Sequence, residues 1–492
     1  MIYENLTSIA ARAPAGNGLR LGTRTTPYTE LVERISRLAS GFIGRGIRTG
    51  DTVALLMHNG PDVFTAIHAL FAIGAVAMPL SPTATRVEAA GSVRKANAVA
   101  VVAEAGALPL AADVAAELGR PLPVFGPDDI AELQRTQPGP LPKLNAGTRA
   151  IYFSSSGSTG LPKLVPHTHG EILADARRTS TAWRITEDDV VFNMLPSNFA
   201  MGLLLGLTDA AEAGASIVYW QDPRPLMFSR GAVLEAIAAN RVSFYGAVPA
   251  MHETLAGAGG NHDLSALRLV FSGGAALNRR IFELVRERLG ITLRQAYGSS
   301  EVLMFAHNDN PDADATWNSV GRPSGDGRAR LEALGGLLPG VGELLVRSSS
   351  LFTGYEGDDA SNAVSFEDGW LRSGDLARMD EQGNLFITGR SKLLIEVAGF
   401  KIDPIEVEAV LASHPAVAEA VVVGIRDSRG GQRLKAVVVR QDDVAPDALV
   451  RFMRGELSEQ KVPTLIEFRD ALPKSTAGKV LRSALIEPET AK

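Results

Sequence analysis

The sequence reads Tyr152-Phe-Ser-Ser-Ser-Gly-Ser-Thr-Gly-Leu-Pro-Lys-Leu-Val165 near the end of its first third. An apolar, strand-like lead from Ala150 to Phe153 runs into clustered hydroxyls and glycines, and Lys163 follows at a short distance. Glycine lets the backbone approach a ligand closely, and clustered N–H and hydroxyl donors suit an anion such as a polyphosphate. The Gly-x-x-x-x-Gly-Lys-Ser/Thr spacing of a Walker A loop is missing. The run therefore predicts a phosphate loop that belongs to a different nucleotide chemistry.

The same composition is also typical of a solvated Ser/Gly linker. Two features favour the phosphate loop over the linker. Apolar segments bound the short run on both sides, and a linker has no need for Pro162-Lys163 followed at once by Leu164-Val165.

Size and composition limit the possible classes of protein. With 492 residues the chain is too long for one ordinary domain, so two to four domains are expected. A net charge of -6 gives no reason to expect nucleic acid or an anionic membrane as a partner. The chain has no cysteine, which excludes disulfides, thiolate metal sites and a cysteine nucleophile. This composition suits a reducing compartment, and we expect a cytoplasmic protein.

No membrane span or signal peptide is expected from the sequence. The first residues lack a basic region followed by an apolar core. The longest apolar stretch, Val63 to Leu80, contains Thr65, His68, Gly74 and Pro79. A spanning helix needs about 20 predominantly apolar residues. We therefore interpret this stretch as a buried helix that leads into a strand over Ala75–Met78.

Helix-like and strand-like segments alternate through the first half of the chain, and further strand candidates follow. Tyr28 to Ile43 repeats apolar residues at helical spacing. The strand candidates are Thr52–Met57, Val99–Ala103, Ser216–Tyr219, Val242–Tyr245, Leu267–Phe271 and Thr292–Gln295. Such alternation predicts an α/β fold with mostly parallel sheets flanked by helices. Their continuous apolar runs are typical of strands buried on both faces.

The pattern changes after Pro323. Gly342–Arg347 and Gly383–Thr388 are typical of antiparallel strands, and they predict a small β-barrel-like part. From Ile402 onward the segments read helix, strand, strand, helix. We place a domain boundary near Arg390–Lys392. The prediction is a large N-terminal domain (residues 1–390) and a small mobile α+β C-terminal domain (residues 391–492).

Six motifs in order resemble the adenylate-forming superfamily of acyl- and aryl-CoA synthetases, nonribosomal peptide synthetase adenylation domains and luciferases. They are Ser154–Lys163, Ser272–Leu277, Tyr297-Gly-Ser-Ser-Glu301, Arg372-Ser-Gly-Asp375, Gly389-Arg390 and Pro473-Lys-Ser-Thr-Ala-Gly-Lys479. The resemblance covers nearly all of the chain. It implies that a carboxylate attacks the α-phosphate of ATP and that pyrophosphate leaves, in a site where positive charge and donors offset two anions.

The resemblance also implies a role for each motif residue. Lys163 would hold the β- and γ-phosphates together with Ser155, Ser156, Gly157, Ser158 and Thr159. Glu301 would hold Mg²⁺, a hard cation that prefers oxygen ligands. The nucleoside would be bound by Gly274, Ala275, Tyr297, Gly298, Ser300, Asp375 and Arg390. Lys479 would place a cation at the junction of carboxylate and phosphate, so the expected catalytic residues are Lys479, Glu301 and Lys163.

Each of these residues taken singly has an ordinary structural interpretation. Lys479 beside Gly478 fits an exposed tail lysine, Asp375 fits a turn residue, and Tyr297 fits a core residue. Their joint occurrence favours the functional interpretation.

In the superfamily that these motifs resemble, the small domain turns after adenylation and presents another face to a thiol. The hinge residue follows the Gly-Arg pair, which points to Lys392, although a solvated loop lysine is an equally good interpretation. Gly399 corresponds to the acceptor loop that the pantetheine arm passes. Glu396 stands where many CoA ligases carry lysine, and this departure concerns the thioester step more than the adenylation step.

The acid pocket is expected around Phe199 and Ala200. Amino-acid-activating relatives place an aspartate at the position of Ala200, and a buried ammonium without a partner is costly. An ordinary α-amino acid is therefore disfavoured. The apolar residues Phe199, Met201, Val248, Val302 and Met304 predict an aryl or aliphatic acid, or else they are core side chains.

Three hypotheses about function follow. The first is an AMP-forming acid–thiol ligase that uses ATP, Mg²⁺ and CoA. The second is a stand-alone adenylating enzyme that loads a separate carrier protein. The third, from another class, is a non-catalytic nucleotide-binding relative, and the presence of Glu301, Asp375 and Lys479 together argues against it.

Replacement of Lys479 by alanine should strongly reduce adenylate formation with little loss of stability, because the surrounding sequence predicts a polar loop. Thioester formation from supplied acyl-adenylate should suffer less. Pyrophosphate release measures the first step, and equal rates in the variant and the parent would remove Lys479 from the role.

Overall fold

The computed structural model describes residues 1–155, 163–222, 224–334, 340–397, 400–426, 432–474 and 480–486. Ser156, Gly157, Ser158, Thr159, Gly399 and Lys479 lie outside these ranges. The side chains of Ser155 and Lys392 are also outside the description.

The elements up to residue 222 alternate as the sequence predicts. The strands are β1 (Gly18–Leu21), β2 (Arg24–Pro27), β3 (Thr52–Leu56), β4 (Val76–Leu80), β5 (Ala100–Ala103), β6 (Val124–Phe125), β7 (Arg149–Ser155), β8 (Lys163–Thr168), β9 (Val190–Asn193) and β10 (Ser216–Tyr219). The helices are α1 (Ile2–Arg12), α2 (Tyr28–Gly44), α3 (Pro61–Ile73), α4 (Arg86–Lys95), α5 (Leu108–Leu118), α6 (Pro127–Leu133), α7 (His169–Ala182), α8 (Ala200–Leu204) and α9 (Ala210–Glu212). A π-helical turn, Leu205–Asp209, joins the last two helices.

The elements beyond residue 222 become mostly antiparallel after β15. The strands are β11 (Phe244–Ala247), β12 (Leu269–Ser272), β13 (Leu293–Ser299), β14 (Leu303–His307), β15 (Arg322–Pro323), β16 (Arg328–Ala333), β17 (Val341–Arg347), β18 (Phe366–Glu367), β19 (Trp370–Met379), β20 (Leu385–Arg390), β21 (Ile395–Val397), β22 (Phe400–Ile402), β23 (Val417–Arg426), β24 (Gln432–Arg440) and β25 (Leu465–Phe468). The helices are α10 (Leu226–Ala239), α11 (Pro249–Ala256), α12 (Arg279–Leu289), α13 (Asp359–Ser365), α14 (Pro404–Ala412) and α15 (Pro446–Glu456).

Two large sheets form the N-terminal part. One has the strand order β15-β14-β13-β12-β11-β9-β10-β1-β2, and the other β6-β5-β3-β4-β7-β8. Their central strands are parallel, whereas the edges are closed by antiparallel partners such as β14 on β13 and β8 on β7. Helix α3 contacts strands of both sheets, and its residues from Val63 to Ile73 are all buried. The long apolar stretch is therefore a core helix followed by β4, as predicted.

The third sheet is antiparallel and forms the barrel-like part. Its order is β16-β17-β19-β18, with β20 paired to β19. Beyond it, β23, β24 and β25 form a sheet covered by α14 and α15, which share one apolar cluster with it. No described helix has the length and apolar character needed to cross a membrane.

Strands β11 and β12 each begin two residues later than the sequence predicts. Val242 was expected to begin a strand, but its N–H closes the last turn of α10 by donating to the carbonyl of Ile237 at 3.0 Å. Strand β11 therefore begins at Phe244, after Arg241 has turned the chain with φ 48°. Helix-terminating hydrogen bonds of this kind leave little trace in hydrophobic periodicity.

Gly246 in β11 is a position where packing requires glycine, because a Cβ there would overlap the ring of Phe271 on the neighbouring strand. Gly246→Ala should lower the free energy of unfolding by about 1–3 kcal/mol through overpacking. Gly231→Ala is the matched control, since a Cβ on this α10 residue meets nothing within 4 Å. It should stabilise the helix by roughly 0.5–1 kcal/mol. Thermal unfolding of both variants measures this, and equal melting temperatures would contradict the packing argument.

Candidate active site

Asp375 lies where strands of two sheets meet, and it joins two other predicted nucleoside residues. Its Oδ2 accepts a hydrogen bond from the hydroxyl of Tyr297 at 2.6 Å, and its Oδ1 pairs with Nε of Arg390 at 2.9 Å. The register of β19 and β20 sets Asp375 opposite Arg390. The carboxylate is buried, whereas the arginine is exposed. Burial and the neighbouring carboxylate raise the pKa of Tyr297, so this hydroxyl stays a hydrogen-bond donor.

The other predicted nucleoside residues lie on loops and at a bulge, and a Cβ on Gly273 would lie 3.4 Å from the carbonyl of Ala296, the residue before Tyr297. Gly274 and Ala275 are exposed and follow β12. Gly298 lies at a bulge between β13 and β14, where a Cβ would overlap the carbonyl of Leu303. The carbonyl of Ser300 accepts a hydrogen bond from Nε2 of His167 at 2.7 Å.

Three apolar side chains converge on the loop after β12. A Cβ on Gly273 would lie 3.0 Å from Sδ of Met201. A Cβ on Gly274 would lie 3.0 Å from Cζ of Phe199 and 3.5 Å from Cγ1 of Val248. Gly274 has φ 76°, so both its backbone conformation and its surroundings favour glycine. The expected acid-pocket residues Phe199 and Val248 thus meet next to the expected nucleoside loop.

The remaining acid-pocket candidates differ in their burial. Ala200 begins α8 and is half-buried. Val302 is 1% exposed and packs within the main core cluster. Met304 is half-buried on β14, and its backbone is held on both sides, because its N–H donates to Asp175 Oδ1 at 3.1 Å and its carbonyl accepts from Arg178 at 2.6 Å.

Asp175 and Arg178 of α7 form a buried ion pair that contacts the backbone of Met304 on β14. Nη2 of Arg178 lies 2.6 Å from Asp175 Oδ1. Burial and the nearby Asp209 raise the pKa of Asp175, and burial raises the pKa of Asp209 to about 7. Sequence reasoning missed this group, since only the tertiary structure brings α7 beside β14.

Lys163 and Glu301, the cation and the carboxylate expected at the phosphates, both contact the side chain of Tyr355. Lys163 begins β8, opposite Ser155 of β7, and its ammonium lies 4.5 Å above the ring centre of Tyr355. The hydroxyl of Tyr355 donates to Oε1 of Glu301 at 3.0 Å. The ammonium also donates to Ser361 and lies 3.6 Å from Oδ2 of Asp358. Tyr355, Asp358 and Ser361 were not predicted, because no feature of the single sequence connects them with Lys163.

The predicted hinge lies beside a buried carboxyl group. Lys392 falls in the short turn Ser391–Leu393 after β20. Asp403, the N-cap of α14, packs against Gly389, where a Cβ would overlap its carboxylate. Burial raises the pKa of Asp403 to about 7. Glu406 and Glu408 add to this effect, whereas the N–H of Ile405 and Arg482 oppose it.

Residues 475–479, which include Lys479, lie outside the described residues, whereas Lys474 and Val480 are described. Lys474 and Val480 form an antiparallel bridge, and the N–H of Leu481 donates to the carbonyl of Pro473 at 2.8 Å. Arg482 pairs with Glu408 and also donates to the carbonyl of Val422 at 2.8 Å. The two ends of the segment that contains Lys479 are therefore anchored to the C-terminal sheet.

Comparison with known proteins identifies the family. The family model described as AMP-binding enzyme matches residues 9–356, and the model of the AMP-binding enzyme C-terminal domain matches residues 406–479. The chain belongs to the AMP-binding enzymes. The predicted adenylate-forming superfamily, the α/β fold and the class of AMP-forming acid–thiol ligase are thereby confirmed.

Individual relatives agree with this assignment along almost the whole chain. Feruloyl-CoA synthase of an Amycolatopsis species is 31% identical over 485 residues, which cover 96% of this chain and 96% of that protein. ATP-bound MatB of Rhodopseudomonas palustris is 25% identical with a TM-score of 0.89, covering 99% of this chain and 98% of that one. The o-succinylbenzoate CoA synthetase of Bacillus subtilis, in complex with its acyl-adenylate intermediate, is 26% identical with a TM-score of 0.88, covering 99% of each chain.

Asp403→Asn should change the pH dependence of stability. The folded protein holds the Asp403 proton up to about pH 7, whereas an unfolded aspartate loses it near pH 4. Its stabilising contribution is thus fully present below about pH 4 and is lost as the pH rises towards 7. Asparagine keeps the N-cap but does not titrate, so the variant should gain stability relative to the parent as the pH rises from 5 to 8.

Thermal unfolding across this pH range measures the difference. Asp447→Asn is the control, because Asp447 is an exposed aspartate in the first turn of α15. Parallel pH profiles of the parent and Asp403→Asn would show that the buried carboxyl does not titrate as expected.

Proposed function

We propose that this chain activates an apolar carboxylic acid, aryl or aliphatic, with ATP and then transfers the acyl group to CoA. The single observation that carries the proposal is the joint placement of Tyr297, Asp375 and Arg390, with the apolar side chains of Phe199 and Val248 beside the neighbouring Gly274 loop. A nucleoside group and an apolar acid would then lie next to each other, as the joining of an acid to AMP requires.

The nucleoside would be held by hydrogen bonds and close backbone approach. Asp375 is a buried carboxylate whose two oxygens already accept from Tyr297 and Arg390, so it is oriented before a ligand arrives. We infer that it accepts from the ribose hydroxyls, with Arg390 beside it. Tyr297 would offer its ring to adenine, with Gly274, Ala275, Gly298 and Ser300 near the base.

Lys163 and Glu301 would act on the phosphate side, together with Ser155, Ser156, Gly157, Ser158 and Thr159. The donor chemistry at Glu301 fits Mg²⁺, since a half-buried carboxylate with one oxygen hydrogen-bonded to Tyr355 supplies the hard oxygen ligand that this ion prefers. Bound Mg²⁺ would supply charge neutralisation for the phosphate oxygens. Lys163 would add a fixed positive charge to the same group.

The acid would lie against Phe199, Ala200 and Val248, with Val302 and Met304 behind them. The apolar contacts around Gly273 and Gly274 support an uncharged acid body. Ala200 provides no carboxylate for an α-ammonium, which disfavours an amino acid. The names of relatives such as feruloyl-CoA synthase support an aryl acid.

We propose that residues 391–492 form a mobile domain that turns about Lys392 between the two half-reactions. In the first, Lys479 would stabilise the negative charge where the carboxylate meets the α-phosphate. In the second, the loop at Gly399 would admit the pantetheine arm of CoA. The relatives named as CoA synthases and CoA ligases favour CoA over a carrier protein as the acceptor. We also propose a cytoplasmic location, where ATP and CoA are both available.

A pyrophosphate-release screen over aryl, aliphatic and α-amino acids tests the proposal. We expect release with an aryl or aliphatic acid, little with α-amino acids, and a thioester once CoA is added. The apolar pocket and Ala200 are the physical reason. Thioester formation only with a carrier protein would replace CoA as acceptor, and absence of release across the whole panel would leave the protein non-catalytic.

A matched pair of variants checks the nucleoside site in the same assay. Asp375→Asn should raise the KM for ATP by about tenfold or more, since it loses charged hydrogen bonds. Asp263→Asn alters an aspartate on an exposed loop, hydrogen-bonded to Ser265, and should behave like the parent. An unchanged KM in Asp375→Asn would argue against the ribose contact.

A further inference from the structure

Tyr355 lies between a cation and an anion that come from different parts of the chain. The ammonium of Lys163 stands over its ring face at 4.5 Å from the centre, and Oε1 of Glu301 accepts from its hydroxyl at 3.0 Å. The ring also packs edge-on against Phe352, with 4.9 Å between the centroids. One side chain thus contacts both charged residues that the proposed function assigns to the phosphates and the metal.

Backbone contacts fix the position of Tyr355 on both sides. The N–H of Glu356 donates to the carbonyl of Leu164 at 3.1 Å, which ties the segment to β8. The N–H of Phe352 donates to the carbonyl of Glu301 at 2.9 Å. Asn362 accepts from the N–H of Tyr355 at 2.7 Å and donates to its carbonyl at 3.0 Å. The tyrosine is therefore held relative to Lys163 and Glu301 before any ligand binds.

The two contacts of the ring support each other. A cation is attracted to the negative face of an aromatic ring. Donation of the hydroxyl to a carboxylate shifts electron density towards the ring and strengthens that attraction. The hydroxyl is the donor of this contact, because the carboxylate oxygen of Glu301 accepts. The hydroxyl engages Oε1, and no residue in the described part of the chain forms a hydrogen bond with Oε2 of Glu301, which could therefore face a hard cation.

We propose that Tyr355 is a positioning residue that orients the Glu301 carboxylate for Mg²⁺ and, through its ring, holds the Lys163 ammonium at the phosphates. The inference rests on the proposed function, because it takes Glu301 and Lys163 as the metal and phosphate residues. The two parts of the proposal can be tested separately, because the hydroxyl would act on the metal site through Glu301 and the ring would act on Lys163.

The test measures ATP binding by calorimetry with excess Mg²⁺ and again in EDTA. Tyr355→Phe keeps the ring but loses the hydroxyl. It should bind ATP in EDTA as the parent does, whereas the gain in affinity from Mg²⁺ should fall by about tenfold, in line with a lost hydrogen bond to a charged group. Tyr355→Leu also loses the ring and should weaken binding in both conditions. Thermal unfolding shows whether each variant is folded.

Tyr3→Phe is the matched control, since the Tyr3 hydroxyl donates only to the carbonyl of Val32, at 3.4 Å, among its described contacts. It should keep the parent's response to Mg²⁺. If Tyr355→Phe keeps the parent's full gain in ATP affinity from Mg²⁺, or binds ATP equally more weakly with and without Mg²⁺, the role of Tyr355 is overturned while the proposed function stands. A parent protein that binds ATP but gains nothing from Mg²⁺ would overturn the assignment of Glu301 as well.

Discussion

The buried carboxylate of Asp375 is the interaction on which the arrangement of the site depends. It accepts a hydrogen bond from Tyr297, near the end of β13 in the large sheet, and it pairs with Arg390 on the last strand of the barrel-like sheet. A buried carboxylate without partners is costly, so these contacts fix the barrel-like sheet relative to the large one. Arg390 lies two residues before the hinge candidate Lys392, so the same contact holds the chain just ahead of the predicted domain boundary.

Charged groups hold the backbone of the pocket in a comparable way. The buried pair of Asp175 and Arg178 binds the N–H and the carbonyl of Met304, a strand residue beside the expected acid pocket. Removing Arg178 would leave the Asp175 carboxylate buried without its cation. On the side where the phosphates are expected, Tyr355 lies between Lys163 and Glu301 and contacts both. The site is thus preorganised by polar contacts from residues that would not themselves touch the reacting atoms.

Particular elements show how far the sequence could predict the fold. Helix α2 and strand β10 lie within one residue of their predicted bounds, because each has a clear apolar pattern and a proline or turn at its edge. Strand β11 was displaced because the end of α10 uses the N–H of Val242. The family motifs predicted Tyr297, Asp375 and Arg390, which the structure brings together. Tyr355 and Arg178 could not be found this way, since their importance lies only in contacts with distant residues.

The sequence by itself determined the chemical class of the protein, because an α/β pattern and motifs that predict a phosphate loop, a nucleoside carboxylate and a catalytic lysine follow in the order that adenylate-forming enzymes share. Local patterns suffice for this, because strands, turns and motifs are encoded by neighbouring residues. Only the tertiary structure decided which side chains orient the reactive ones. Asp403 against Gly389, and Tyr355 between Lys163 and Glu301, depend on packing between segments far apart in the chain, and such contacts leave no periodic or compositional signal in one sequence.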